Sequence, residues 1–232
     1  VPHGMQKMVA DLLKEPMEDV RIDFAGLNHM VFGLDIYLRG VSVKDKVLNE
    51  LMGSQSFSMK NITDIPWSVD FIKGCKVLPC FYHRYYFQKE EMLEHLLEDY
   101  KKGQTRAQVV MQVEKSLFEK YKDIHLDEKP EELQLRGGAY YSDAACNLMA
   151  GLYNDDKTIQ VVNTKNNGAI SSLPDNVVVE VSCVITKEGP RPLSMGALPP
   201  IAQGIVSQIK AFEQQGILAA ISGKYEDALV AM

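Results

Sequence analysis

Long apolar runs are missing from this chain. Nothing approaches the roughly 18 consecutive apolar residues that a bilayer crossing needs, and no leader pattern opens the sequence. An excess of basic charge is missing too. Lys plus Arg number 25 against 31 Asp plus Glu, a net charge of −6 with a pI near 5.4, which argues against nucleic acid or an anionic membrane surface as partner. Cysteine occurs four times, at Cys75, Cys80, Cys146 and Cys183. Thiols so sparse and irregular give no disulfide frame, and the expectation is free cysteines in a cytoplasmic protein. The five histidines form no HExxH, and Cys75-x₄-Cys80 is not read as a zinc pair. No GxGxxG opens a βα unit and no GxxxxGK[ST] is present, so the chain shows no nucleotide-binding fold of its own.

What is present is an ordinary globular composition. Of the 232 residues, 46% are apolar and 24% charged, which suits a packed core and one large or two small domains. Met5, Met8, Val9, Leu12 and Leu13 recur at helical spacing and predict a helix ending near Pro16. Val20, Ile22 and Phe24 alternate with Arg21 and Asp23, a half-buried strand, and Phe32, Leu34, Ile36 and Leu38 form a second one. The polar interruption Gly26-Leu27-Asn28-His29 separates them. Residues 53–68 read as a loop around Trp67, the sole tryptophan.

Two helical stripes follow, Leu93, Leu96, Leu97 and Tyr100, then Val110, Val113, Leu117, Phe118 and Tyr121, with Thr105 as N-cap of the second. Tyr141, Ala144, Ala145, Leu148, Met149 and Leu152 trace the cleanest stripe. Strands are expected over 159–162 and 177–185, with Asn166-Asn167-Gly168 and Pro174-Asp175 as turns. Pro199-Pro200 opens a helix carrying Ile201, Ile205, Ile209 and Phe212. The last residues continue a helical pattern. This order is no regular βα alternation, so an α+β domain with antiparallel pairing is expected.

Several residues have the chemistry for a site. His29, beside a strand junction, has the type and place of a metal ligand, against the plainer reading of a loop histidine. The segment Phe81-Tyr82-His83-Arg84-Tyr85-Tyr86-Phe87 reads either as core or as the seat of a site tyrosine. A phenol titrates near pH 10, so a basic Tyr82 would need a cation nearby; Arg84 and Arg106 have the type. Arg136-Gly137-Gly138 and Asn166-Asn167-Gly168 are glycine-bearing loops, explained equally well as helix entry and turn. Asn61-Ile62-Thr63 matches a glycosylation acceptor by accident.

Four blocks point further: Gly26-Leu27-Asn28-His29-Met30, Tyr82-His83-Arg84-Tyr85-Tyr86, Arg136-Gly137-Gly138-Ala139-Tyr140-Tyr141-Ser142-Asp143-Ala144-Ala145-Cys146-Asn147, and Asn163-Thr164-Lys165-Asn166-Asn167-Gly168-Ala169-Ile170. Together, along essentially the whole chain and in order, they resemble glycoside hydrolase family 4, most nearly its 6-phospho-β-glucosidases. The resemblance implies that residues 1–232 are the C-terminal, substrate-side and oligomerisation domain. Its fold would be the α+β type found in lactate and malate dehydrogenases. The family's N-terminal Rossmann half, ending in Cys-Asn-x-Pro, would lie outside it, and Val1-Pro2 resembles the tail of that motif. The chain is thus expected to be a piece of a longer protein and inactive alone.

The family's mechanism gives the residue types their meaning, and it departs from two-carboxylate glycoside hydrolysis. NAD⁺ oxidises C3 of the sugar, the C2 proton becomes acidic, a tyrosinate removes it, and the aglycone leaves from C1. A divalent metal, usually Mn²⁺, stabilises the enediolate. By this resemblance His29 matches the metal ligand and Tyr82 the catalytic base. Arg106 matches an active-site arginine that steadies the phenolate or a substrate oxygen. Asn28 is a substrate-side candidate. Where the commoner pattern has Asn-Pro-Tyr, this sequence has Cys80-Phe81-Tyr82. The implied activity is hydrolysis of phosphorylated disaccharides of the cellobiose 6-phosphate type, with NAD and Mn²⁺, by a cytoplasmic homodimer or homotetramer. The alternatives are a family 4 α-glycosidase or 6-phospho-α-glucosidase and, in another class, a non-catalytic assembly module.

Overall fold

A computed structural model describes residues 1–53, 65–137 and 140–232. The elements run in the order α1 (Pro2–Leu13), β1 (Val20–Leu27), β2 (Met30–Leu38), β3 (Val41–Ser42), α2 (Lys44–Gly53), α3 (Val69–Cys75), α4 (Arg84–Phe87), α5 (Lys89–Lys101), α6 (Arg106–Lys120), α7 (Glu132–Arg136), α8 (Tyr141–Asn154), β4 (Ile159–Lys165), β5 (Val178–Thr186), β6 (Gly189–Pro192), α9 (Pro200–Ser222) and α10 (Tyr225–Ala231). The sheet is antiparallel, in the order β3-β2-β1-β5-β4, with β6 also paired to β5. The expected α+β class is what the chain adopts. No helix among the described residues is long and apolar enough to cross a membrane.

The first helix follows its sequence signals. Pro2 stands at its first turn, where the missing N–H costs nothing, and Lys14 closes it in the left-handed region. Its apolar face, with Met5 and Val9, packs on one side of the sheet against Val20, Ile22 and Phe24 of β1, joined by Val47 and Leu51 of α2, Ile72 of α3 and Met92 of α5. The opposite side of the sheet presents Ala25, Leu27, Phe32, Val179, Val181, Cys183 and Ile185 to Ala202 and Val206 of α9. The sheet is therefore covered on both faces. That corrects one expectation: β1 alternates only at its start, and Phe24 to Leu27 are all buried. A two-sided cover selects consecutive apolar residues, not alternation.

Other differences have local causes. The short strand β6 carries Pro190 and Pro192, and was invisible as a strand because proline lacks the ladder N–H; pairing with β5 beyond the stretch that β1 pairs, it tolerates them. The helix α2 was missed because Lys44-Asp45-Lys46 and Asn49-Glu50 dilute its stripe. The expected helices α5, α6, α8 and α9 all form, and the Thr105 hydroxyl caps α6 by accepting from Gln108 N–H at 3.4 Å. The α5 stripe is exposed at Leu93, Leu97 and Tyr100, whereas α6 buries Leu117 and leaves Phe118 exposed. Helix α8 packs Leu148 and Leu152 but exposes Tyr141 and Met149, and α9 packs Ile201, Ile205 and Ile209, with Phe212 and the later Ile217, Leu218 and Ile221 exposed. All four cysteines are free, with Cys146 alone exposed. Asn61-Ile62-Thr63 and most of the loop before Trp67 lie outside the described residues.

Candidate active site

The β1–β2 hairpin closes in two residues. Leu27 pairs with Met30, leaving Asn28 and His29 as the turn. His29 takes a φ of 63°, a left-handed conformation more natural to glycine, and this holds its ring out beyond the sheet. Gly26, just before, has a φ of 150°, and a Cβ there would lie 2.2 Å from the Met30 carbonyl oxygen. Glycine is thus required for the hairpin to close this tightly.

A second segment is docked beside the turn. Gly33 N–H donates to Leu78 O and Leu78 N–H donates to Gly33 O, both at 2.9 Å. A Cβ on Gly33 would meet Leu78 Cβ at 3.0 Å, so the absent side chain permits the approach. From this anchor the chain runs through Cys80, whose thiol reaches the His29 carbonyl at 3.9 Å, into a 3₁₀ turn over Phe81–His83. His83 closes that turn: its Nδ1 accepts from Cys80 N–H at 3.1 Å. The His83 ring is buried against Phe32 and Phe87. Burial pulls its pKa down to about 3, so it is neutral with the proton on Nε2. The turn aims Tyr82 at the hairpin. The Tyr82 and His29 rings stack with centroids 4.3 Å apart and planes 24° from parallel.

His29 and Asn28 line a cleft of about 810 Å³ between the N-terminal part of α1, the helix α8 and the strands β4 and β5. Tyr82 is not in its wall but lies against a residue that is. Burial lowers the His29 pKa below the ordinary histidine value, which favours the neutral imidazole a metal requires. Among the described residues no group of three His, Cys, Asp or Glu side chains is placed to hold a metal ion. Within these residues His29 is one donor, not a complete metal centre.

Arg106 stands elsewhere. Its guanidinium donates to Leu135 O at 3.0 Å and Arg136 O at 2.6 Å, tying α6 to the end of α7, and it is not among the residues lining the cleft. Arg136 pairs with Glu114 at 3.0 Å, and Gly138 lies outside the described residues. Asn166 is structural: its amide donates to the Ile170, Leu173 and Pro174 carbonyls and accepts from Ile170 N–H. Arg84, a cation of the right type by sequence, is buried, with Nε on Ile65 O at 2.7 Å and its guanidinium 5.1 Å from the Trp67 ring.

One cleft residue was missed. Glu180, near the start of β5, is 5% exposed and lines the cleft. Burial raises its carboxyl to about 7. The sequence signal was available: a lone carboxylate in Val178-Val179-Glu180-Val181 interrupts a strand otherwise suited to a core.

A hairpin turn presenting histidine, a tyrosine stacked on it and a cleft beside them bring together residues from two of the motif blocks. Residues 24–232 match the family 4 glycosyl hydrolase C-terminal domain. The chain belongs to that family. It is 55% identical to a probable 6-phospho-β-glucosidase of Bacillus subtilis (strain 168), over 100% of the chain and 53% of that protein. With the 6-phospho-β-glucosidase of Escherichia coli (strain K12) it shares 40% identity, over 100% of the chain and 52% of that protein. The structure of the Thermotoga maritima 6-phospho-β-glucosidase with manganese, NAD⁺ and glucose 6-phosphate superimposes with a TM-score of 0.87 at 32% identity, covering 100% of this chain and 53% of that one. The chain thus spans about half the length of the relatives it matches.

Proposed function

We propose that this chain is the substrate-side and oligomer-forming C-terminal part of a cytoplasmic, NAD- and Mn²⁺-dependent 6-phospho-β-glucosidase. Its substrate would be a phosphorylated disaccharide of the cellobiose 6-phosphate type. The observation that carries the reading is the stack of Tyr82 on His29 beside the cleft, in a chain whose relatives bear that activity's name.

In this reading Tyr82 is the general base that takes the sugar's C2 proton. A phenol ordinarily titrates near 10, so it needs cationic support to act as phenolate at moderate pH. His29 offers a neutral nitrogen to the metal, and Asn28, next to it, offers an amide to the sugar. When bound, NAD supplies hydride acceptance and Mn²⁺ Lewis acidity; the remaining metal donors come from outside the described residues. For Arg106 to steady the phenolate or a sugar oxygen, it must give up its bonds to the Leu135 and Arg136 carbonyls. The exposed apolar faces of α5, α8 and the end of α9 serve contacts with the other half of the protein and a homodimer or homotetramer.

The test is turnover of 4-nitrophenyl 6-phosphoglucosides by the full-length protein. Cleavage of the β-anomer in preference to the α-anomer, lost when NAD⁺ or Mn²⁺ is withheld, is the expected result, with no turnover by residues 1–232 alone. Cofactor-independent cleavage, or preference for the α-linked sugar, would overturn the reading.

A further inference from the structure

Glu180 sits in β5 between two strands, opposite Gly26 of β1 and Asn163 of β4. Side chains directly opposite one another share a face of the sheet. Gly26 contributes none, which leaves the carboxylate room, and exposed Asn163 brings an amide into the same cleft. Two residues on, on the same face, Ser182 is fully used by the fold: its hydroxyl accepts from Phe24 N–H at 3.0 Å and donates to Ile22 O at 3.4 Å. Glu180 is not used in this way. Its Oε2 is buried with no hydrogen-bond partner, and no salt bridge among the described residues reaches it. Burying a carboxylate oxygen without a hydrogen-bond partner is costly, and the attraction of the N-terminal amine offsets only part of that cost.

We propose that Glu180 is a sugar-binding residue, an acceptor set into the cleft floor to take hydrogen bonds from the hydroxyls of a bound hexose. The surroundings favour a polyol over a cation. The cleft also carries Glu18, Asp156 and His29, yet among the described residues no three His, Cys, Asp or Glu side chains are placed together to hold a cation, whereas the amides of Asn28, Asn163 and Gln160 donate and accept as hydroxyl groups do. The inference rests on the proposed glycosidase reading and adds to it a residue that touches the sugar.

The experiment is calorimetric binding of glucose 6-phosphate and its 2-, 3- and 4-deoxy analogues to the full-length protein with NAD⁺, comparing wild type with Glu180→Gln. A hydrogen bond to a charged group is worth about 10- to 100-fold in affinity. The Gln variant should bind glucose 6-phosphate weaker by about that factor, and one deoxy analogue should lose affinity for wild type but not for the variant. A residue that only supports the sheet would shift the melting temperature without that selective loss. Affinity within twofold of wild type, or equal deoxy losses in both proteins, overturns the proposal. If the variant does not fold, the wild-type series decides: at least one deoxy analogue must lose about 10-fold, and uniformly small losses count against it. Unphosphorylated glucose separates the two claims. Glu180-dependent binding of glucose, with none of glucose 6-phosphate, would sink the phosphoglucosidase reading and keep Glu180; no hexose binding at all would sink both.

Discussion

The imidazole of His29 and the phenol of Tyr82 lie nearly parallel, 4.3 Å between ring centroids, although one belongs to a hairpin turn and the other to the segment that follows α3. Two backbone features make this possible. The His29 φ of 63° turns its ring outward, and the paired bonds between Gly33 and Leu78 bring the tyrosine segment alongside.

His29→Gly separates the turn from the chemistry. Glycine relieves a left-handed conformation costing about 1 kcal/mol, while its unfolded-state freedom and the lost ring stack oppose that gain by a similar amount. Stability by urea unfolding should stay within about 1 kcal/mol of wild type, while Mn²⁺ affinity of the full-length protein falls sharply. Unchanged Mn²⁺ affinity would remove His29 from the metal site.

Gly26→Ala should do the reverse. Its Cβ would fall 2.2 Å from the Met30 carbonyl oxygen, and backbone must move to admit it. A loss of about 1–3 kcal/mol is expected, and the hairpin's amide resonances should shift. A variant as stable as wild type would mean that the hairpin does not close as described.

His83 sets a pH dependence. Its folded pKa of about 3 lies below the ordinary 6.5, so the unfolded chain binds the proton more readily. The stability from burying the neutral ring is complete above pH 6.5 and is lost progressively as pH falls toward 3. Within that window wild-type stability should fall by up to about 1.4 kcal/mol per pH unit more steeply than that of His83→Asn, an amide that keeps an acceptor for Cys80 N–H. Equal slopes would show that His83 is not buried neutral.

Much of this arrangement was legible in advance. Apolar spacing marks α1, α5, α6, α8 and α9, and the motif blocks mark His29 and Tyr82 as a pair of interest. The lone carboxylate of Glu180 in an apolar strand is a sequence signal, but spacing says nothing of what lies across the sheet, so its neighbours from β1 and β4 emerged only with the strand order. The same limit applies to Arg106: its type suited the site, but only tertiary placement showed its guanidinium engaged by the end of α7. The exposure of the α5 and α8 stripes was equally hidden, because periodicity identifies an apolar face without naming its partner.

The most direct test is exchange of the sugar's C2 proton with solvent deuterium, measured by NMR on the full-length protein with NAD⁺ and Mn²⁺, for wild type and Tyr82→Phe. The substitution keeps the ring that packs on His29 and removes only the proton acceptor. A general base contributes about 10²–10⁴-fold, so C2 exchange and turnover should fall together by that factor, with the melting temperature little changed and no rescue by excess Mn²⁺. Near-native C2 exchange in the Phe variant would show that Tyr82 packs against His29 without taking the proton.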